Sequence, residues 1–189
     1  TEWDGLVPAV QSGKIDAIIA GMSPTAERKE SIDFTDVYYT SDLVMVVKKG
    51  GKYENATKLS DFKGATITGQ LNTFHYTVID QIDGVKKDTA MDNFPAMRVA
   101  LESGKIDGYV SERPEGVSAT SANKNFAMVE FADGQGFKTS AEDTAIAVGL
   151  KKDSDLKDKI NKILAGISED ERKDLMDKAI KDQPASEDN

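Results

Sequence analysis

The pentapeptide Ser12-Gly13-Lys14-Ile15-Asp16 (SGKID) returns unchanged at Ser103-Gly104-Lys105-Ile106-Asp107, and what flanks the two copies decides the fold. Upstream of the first, Leu6, Val7 and Val10 recur at helical spacing; upstream of the second, Met97 and Leu101, with Val99 and Ala100 beside them, do the same. Each run predicts a short amphipathic helix. Gly13 and Gly104 then stand where a left-handed residue ends a helix, each followed by a lysine placed to face the last carbonyls. After the two copies come DAIIAGM and DGYVSE, apolar segments with the length and composition of buried strands. Both copies are therefore one unit of helix, cap and strand. Alternation of such units implies an α/β fold with mainly parallel sheets.

The rest of the chain alternates in the same way. KGATITG (63–69) reads as a strand, and NTFHYTVIDQI as a helix with Thr73 at its N-cap and Phe74, Val78, Ile79 and Ile82 on one face. LVMVVKK (43–49) and TAIAVGLKK (144–152) are two further strand candidates. The C-terminal part reads as helical. Ser154 caps a face of Leu156, Ile160, Ile163, Leu164 and Ile167, and Ser168 with Glu171 forms a capping box for a second helix carrying Leu175, Met176 and Ile180. The tail DQPASEDN is expected to fray.

Composition removes several classes of function. The 189 residues suffice for one large domain or two small ones, and 39% hydrophobic with 30% charged residues is ordinary for a globular protein. A net charge of −9 repels nucleic acid and anionic membrane surfaces. No apolar run approaches the roughly 20 residues of a membrane helix. There is no cysteine, hence no disulfide, thiolate metal site or cysteine nucleophile. The single histidine, His75, removes most routes to metal binding and to Ser-His-Asp chemistry, so no metal, no cofactor and no catalytic residue is expected. Near a predicted helix start, His75 is expected at the surface or against a partner. The chain begins at TEWDG without a signal peptide or initiating methionine, as a piece of something longer would.

Two copies of one unit suggest two similar lobes facing each other. In α/β sheets ligands bind beyond the carboxyl ends of the strands, so residues just after IIAG and YVS are expected to line a shared cleft. GMSPTAERKESIDF follows the first strand. Ser23 offers a hydroxyl, Thr25 caps the next helix, and Arg28 lies one turn inside it, with a planar fork that suits a carboxylate as lysine does not. The alternative is a surface pair with Glu27, Glu30 or Asp33. The helix starting at Thr73 offers a second anion site through its exposed N–H groups. Five residues past Asp16 and Asp107 stand Gly21 and Glu112, so one strand end is neutral and the other carries a carboxylate. Arginine and a helix N-terminus for a carboxylate, with a separate carboxylate for an ammonium, meet the needs of an α-amino acid zwitterion. The alternative for Glu112 is a salt bridge with Arg113.

At these residues the sequence resembles a known family. WDGLVPAVQSGKIDAIIAGMSPTAERKESIDFTDVYYT is similar to the signature region of the family 3 solute-binding proteins, the polar amino-acid receptors of ABC importers. The likeness continues through GQLNT, the second SGKID with SERPEG, and AIAVGLKKDSDLKDKINKIL. It implies an α/β, two-lobed, type II periplasmic-binding fold with mainly parallel sheets, one antiparallel crossing strand and a ligand cleft between lobes that close by hinge motion. The crossings are expected near 40–43 and 138–144, with lobe 1 made of 1–41 and 142–189 and lobe 2 of 42–141.

Residue by residue, the resemblance assigns Arg28 to the ligand carboxylate, aided by Ser23, by Gly21 and Met22, and by Thr73 with the Phe74 N–H. Glu112 stands where the family usually has aspartate, on the α-ammonium. Trp3 matches the aromatic platform for the ligand side chain, where a cationic ligand gains from the ring face. Gln70 falls at a variable cleft position, and Asn72 replaces the usual glycine, stiffening the turn before Thr73. The N-terminal part of lobe 1 is missing, which implies an incomplete sheet whose edge invites pairing with another chain. The implied function is extracytoplasmic binding of a polar or basic L-amino acid, arginine first and glutamine second, for delivery to ABC permease subunits in the membrane. The implied location is periplasmic or cell-surface, lipid-anchored in a Gram-positive source. Two other readings share the fold. One is a lyase of the cyclohexadienyl dehydratase type using Glu112 or His75 as acid, marked by turnover of prephenate or arogenate. The other is the sensing domain of a receptor or channel, marked by a membrane span or signalling domain in the full-length gene.

Overall fold

The computed structural model describes residues 2–182. The chain folds as two compact units, the first of residues 2–41 with 140–179 and the second of 42–139 with 180–182. The first unit opens with a 3₁₀ turn, Trp3–Gly5, and continues through α1 (Leu6–Gln11), β1 (Ala17–Ile18), α2 (Ala26–Ser31), β2 (Asp33–Phe34) and β3 (Tyr39–Thr40). The second holds β4 (Leu43–Lys48), β5 (Thr66–Thr68), α3 (Phe74–Thr77), β6 (Lys86–Lys87), α4 (Phe94–Ser103), β7 (Gly108–Glu112), α5 (Arg113–Ala122) and β8 (Phe126–Val129). The chain then adds α6 (Ala141–Thr144), β9 (Ala145–Ile146), β10 (Gly149–Leu150), α7 (Leu156–Leu164) and α8 (Glu169–Asp182).

The two SGKID copies end their helices identically. Gly13 and Gly104 adopt φ of 74° and 80°, open to glycine at no steric cost. The chain then folds back so that Lys14 N–H reaches the Ala9 carbonyl and Lys105 N–H the Ala100 carbonyl, both at 2.9 Å. This is the six-to-one bond of a Schellman cap. The lysine backbone, rather than its ammonium, satisfies the carbonyl; the Lys105 ammonium lies 3.8 Å from Asp88.

In the second unit the sheet order is β6-β5-β7-β4-β8. Strands β6, β5 and β7 run parallel, and β4 is antiparallel to both β7 and β8. LVMVV forms an interior strand, between β7 and β8, because it is apolar on both faces. Leu43, Met45 and Val47 enter one core with Phe62, Ile67 and Ile79, while Val46 enters another with Met97, Leu101 and Tyr109. In the first unit β10 lies between β1 and β2 and is antiparallel to both, and β3 pairs antiparallel with β9. Its smaller core joins Val10, Ile18, Met22, Ile32, Phe34 and Ala147.

The segment 74–82 departs from a single helix. Only α3, one turn, is α-helical, and Val78–Gln81 tightens to 3₁₀, where the β-branched run Thr77, Val78, Ile79 lowers helical preference. Thr73 has the extended backbone of an N-cap, yet its hydroxyl donates to the Gln70 carbonyl at 2.8 Å and caps no N–H. One turn sums too few peptide dipoles to make the anion site that a longer helix would provide. At the far end, Asp155 rather than Ser154 takes the α7 N-cap position, though Ser154 Oγ accepts from Leu156 N–H at 3.3 Å. Ser168 Oγ accepts from Glu171 N–H at 3.2 Å, ahead of α8. Neither α7 nor α8 fully buries a residue, and Ile163 is 67% exposed. The tail 183–189 lies outside the described residues. Among the described residues no helix is long and apolar enough to cross a membrane.

Candidate functional site

In the first unit the loop after β1 turns at Gly21, buries the Met22 side chain in the core and leads into α2. Thr25 takes the N-cap of α2 and its hydroxyl accepts from Arg28 N–H at 3.4 Å. That cap fixes where Arg28 leaves the helix. Its Nη1 donates to the Ser23 carbonyl at 3.0 Å, and its guanidinium carbon lies 5.6 Å from the centre of the Trp3 ring. Burial pushes the guanidinium's pKa below its ordinary value, against an opposing pull from Glu27. Ser23 is itself buried, and its Oγ donates to the Asp143 carbonyl at 2.6 Å. Trp3, Gly21, Met22, Ser23 and Arg28 thus come together in one unit. The indole packs on the arginine, and Asp33, one alternative partner, is taken up by Lys152 at 3.1 Å.

In the second unit β5 and β7 are parallel neighbours; β5 ends at Thr68 opposite Tyr109, and β7 continues to Glu112. Gln70, Thr73, Phe74 and His75 follow β5, and Glu112 is the last residue of β7. Gln70 is buried and donates to the Asp92 carbonyl at 3.1 Å. Asn72 adopts φ of 56°, the left-handed conformation in which glycine is at ease and asparagine is tolerated. Phe74 sits with its ring centre 4.6 Å from that of His75. Gly69 is required by close approach: a Cβ there would lie 2.6 Å from the His75 carbonyl oxygen.

Glu112 is 8% exposed. Arg113 does not pair with it; the Arg113 Nε donates instead to Glu130 Oε1 at 2.8 Å. The nearest cationic candidate is His75, whose Nε2 lies 3.5 Å from Glu112 Oε1. His75 is not at the surface as its place near a helix start suggests. It is 6% exposed, in the segment that follows the sharp turn at Asn72. Sequence reasoning also passed over Glu115, one turn into α5. Its Oε1 accepts from Arg98 Nε at 3.1 Å, Arg98 Nη2 at 2.8 Å and the Tyr109 hydroxyl at 3.3 Å, and its Oε2 accepts from Ser111 Oγ at 2.6 Å. The readable signal was its helical spacing from Glu112 within SERPEG.

The half-buried guanidinium of Arg28 belongs to the first unit and the buried carboxylate of Glu112 to the second. The sequence profile of the bacterial extracellular solute-binding proteins, family 3, matches residues 1–182. The arginine-binding extracellular protein ArtP of Bacillus subtilis is 28% identical over 166 residues, 86% of this chain and 62% of that protein. The ABC transporter glutamine-binding protein GlnH of the same organism is 31% identical over 180 residues, 95% of this chain and 63% of that protein. The crystal structure of an amino acid ABC transporter substrate-binding protein from Streptococcus pneumoniae bound to L-arginine superposes with a TM-score of 0.81 at 28% identity. It covers 96% of this chain and 74% of that one. The chain belongs to the bacterial extracellular solute-binding proteins, family 3, and has the type II fold of the amino-acid receptors. It spans about three fifths of the length of these curated relatives.

Proposed function

We propose that the chain binds a polar or basic L-amino acid outside the cytoplasm for delivery to an ABC importer, with arginine the first candidate and glutamine the second. The observation that carries this reading is a pair of oppositely charged groups that follow the two repeat strands: the half-buried Arg28 guanidinium, held by the Ser23 carbonyl and the Trp3 ring, and the buried Glu112 carboxylate. Arg28 takes the ligand carboxylate, with Ser23 and the Gly21 and Met22 backbone beside it. Thr73 and the Phe74 N–H assist with the carboxylate, Glu112 takes the ammonium, and Gln70 faces the rest of the ligand. Relatives named for arginine and for glutamine are among the proteins this chain resembles, as are relatives named for histidine. Energetically the set suffices. Charge-assisted hydrogen bonds contribute roughly 1.5 to 3 kcal/mol each, and micromolar affinity needs about 8 kcal/mol. The proposed partners are the permease subunits of the importer, and the proposed lobes are 1–41 with 142–189 and 42–141.

A thermal-shift screen of the twenty amino acids tests the reading. A ligand at about a hundred times its Kd stabilises by about 2.7 kcal/mol, a clear shift. Arginine or glutamine is expected to raise Tm in the wild type, and no amino acid is expected to do so in Arg28→Ala. Normal affinity in that variant sinks the site. One observation favours a second reading, a dehydratase-type lyase: the buried Glu112 and His75 pair has the composition of an acid–base couple. Turnover of prephenate or arogenate by the wild type would select it.

A further inference from the structure

His75 and Glu112 are the least explained polar groups of the second unit. Both ring nitrogens of His75 and Oε1 of Glu112 are buried and find no hydrogen-bond partner within the protein. Burying such atoms unpaired costs free energy, so an arrangement of this kind calls for a function. The Nε2 to Oε1 separation of 3.5 Å is an ionic distance, longer than the 2.9 Å or so of a direct N–H···O bond. Around the ring stand Phe74 and Phe94, with ring centres 4.6 and 6.4 Å away. The other carboxylate of this region, Glu115, is committed to Arg98, Ser111 and Tyr109. Arg113 is committed to Glu130. Among the described residues Glu112 is the only group of opposite charge within 4 Å of the imidazole.

We propose that His75 is the positioning residue of Glu112, fixing its carboxylate and deciding through its own proton whether that carboxylate is offered to a ligand's ammonium. This rests on Glu112 being the ammonium's partner. A neutral imidazole with its proton on Nε2 points an N–H dipole at Oε1 and leaves the carboxylate's full negative charge to the ligand. A protonated imidazole already forms an ion pair with Glu112, and an arriving ammonium must compete with it at close range. Proton and ligand therefore oppose each other, and each weakens the other's binding by the same factor. The ligand class follows: a molecule bearing an amine that is charged at neutral pH.

Because His75 is the chain's only histidine, its ring gives a single imidazole pattern in a nitrogen-15 spectrum of the full chain. The ligand-free wild type is expected to hold the Nε2-protonated tautomer at neutral pH, and Glu112→Ala and Glu112→Gln to lose or redistribute it. An unchanged tautomer balance in both variants overturns the proposal, whatever the chain binds. In calorimetry with arginine and glutamine, wild-type affinity is expected to fall as the pH is lowered and the imidazole takes up its proton. His75→Phe is expected to lose about tenfold in affinity, or 1.4 kcal/mol, and His75→Gln, which keeps a donor, to recover most of it; both lose the pH dependence. A pH dependence that persists in His75→Phe overturns the proposal. A tautomer that depends on Glu112 in a chain that binds no amino acid supports the positioning role and rejects the receptor reading.

Discussion

Asn72 shows how much one backbone torsion controls. At φ of 56° it turns the chain just ahead of Thr73 and His75, both of which are buried. Asparagine tolerates this conformation through its short polar side chain, whereas a Cβ with no compensating polar group costs roughly 1 kcal/mol there. Asn72→Ala is expected to lower the stability measured by urea unfolding by about that amount, and Asn72→Gly to leave it nearly unchanged. At this scale the sequence was partly legible. The departure from glycine at position 72 was visible, but the burial of His75 was not, because it follows from a torsion that no residue pattern encodes. The same holds at Glu112. Adjacency suggested Arg113 as its partner, yet Arg113 opens α5 and points to Glu130 across from β8, while the parallel neighbours β5 and β7 bring His75, which follows one, to Glu112, which ends the other.

At the scale of elements, the junction between β7 and α5 is held by one carboxylate. Glu115 gathers Arg98 from α4 and Tyr109 and Ser111 from β7, so helix, strand and helix share a single anchor. Removing it leaves a guanidinium whose side chain is 23% exposed, together with a fully buried serine hydroxyl that has lost its strongest acceptor. Glu115→Ala is expected to destabilise the protein by on the order of 3 kcal/mol in denaturant unfolding, the cost of breaking a largely buried ion pair. A loss below about 1 kcal/mol would make the pair no better than a surface one. The elements themselves were the most legible part of the chain. LVMVV had to be a strand buried on both faces, and the two glycines had to end their helices. The helix predicted from Thr73 was the exception, because the hydrophobic period continued into residues whose branched side chains and local bonds favoured a 3₁₀ turn.

At the scale of the whole molecule, the two units meet acid and alkali differently. Asp33 holds the Asp153 N–H and the Lys152 ammonium, and these bonds keep its carboxyl below the usual carboxylate range. Its stabilising contribution is present above the ordinary carboxylate pKa of about 4 and is lost as pH falls through the lower, folded value. Tyr109 is pushed above its ordinary 10.0, first by burial and then by Glu115. Its contribution is complete below that value and is lost as pH rises beyond it. Asp33→Asn is therefore expected to flatten the acid limb of a Tm-against-pH curve, and Tyr109→Phe the alkaline limb. Each variant should leave the opposite limb in place; a shared response would mean that neither group governs its limb.

The indole of Trp3 stacked near Arg28 has one further consequence. It is the chain's only tryptophan, so the protein carries its own optical probe, and that probe watches one pole alone. An anion arriving at Arg28 changes the charge beside the emitting ring, whereas events at Glu112 fall in a unit with no such fluorophore. Emission and the lone imidazole's magnetic resonance signal then form two separate channels, one for each end of the ligand that the receptor reading proposes. The order in which the ends engage becomes a question of timing between two colours of measurement on an unlabelled protein.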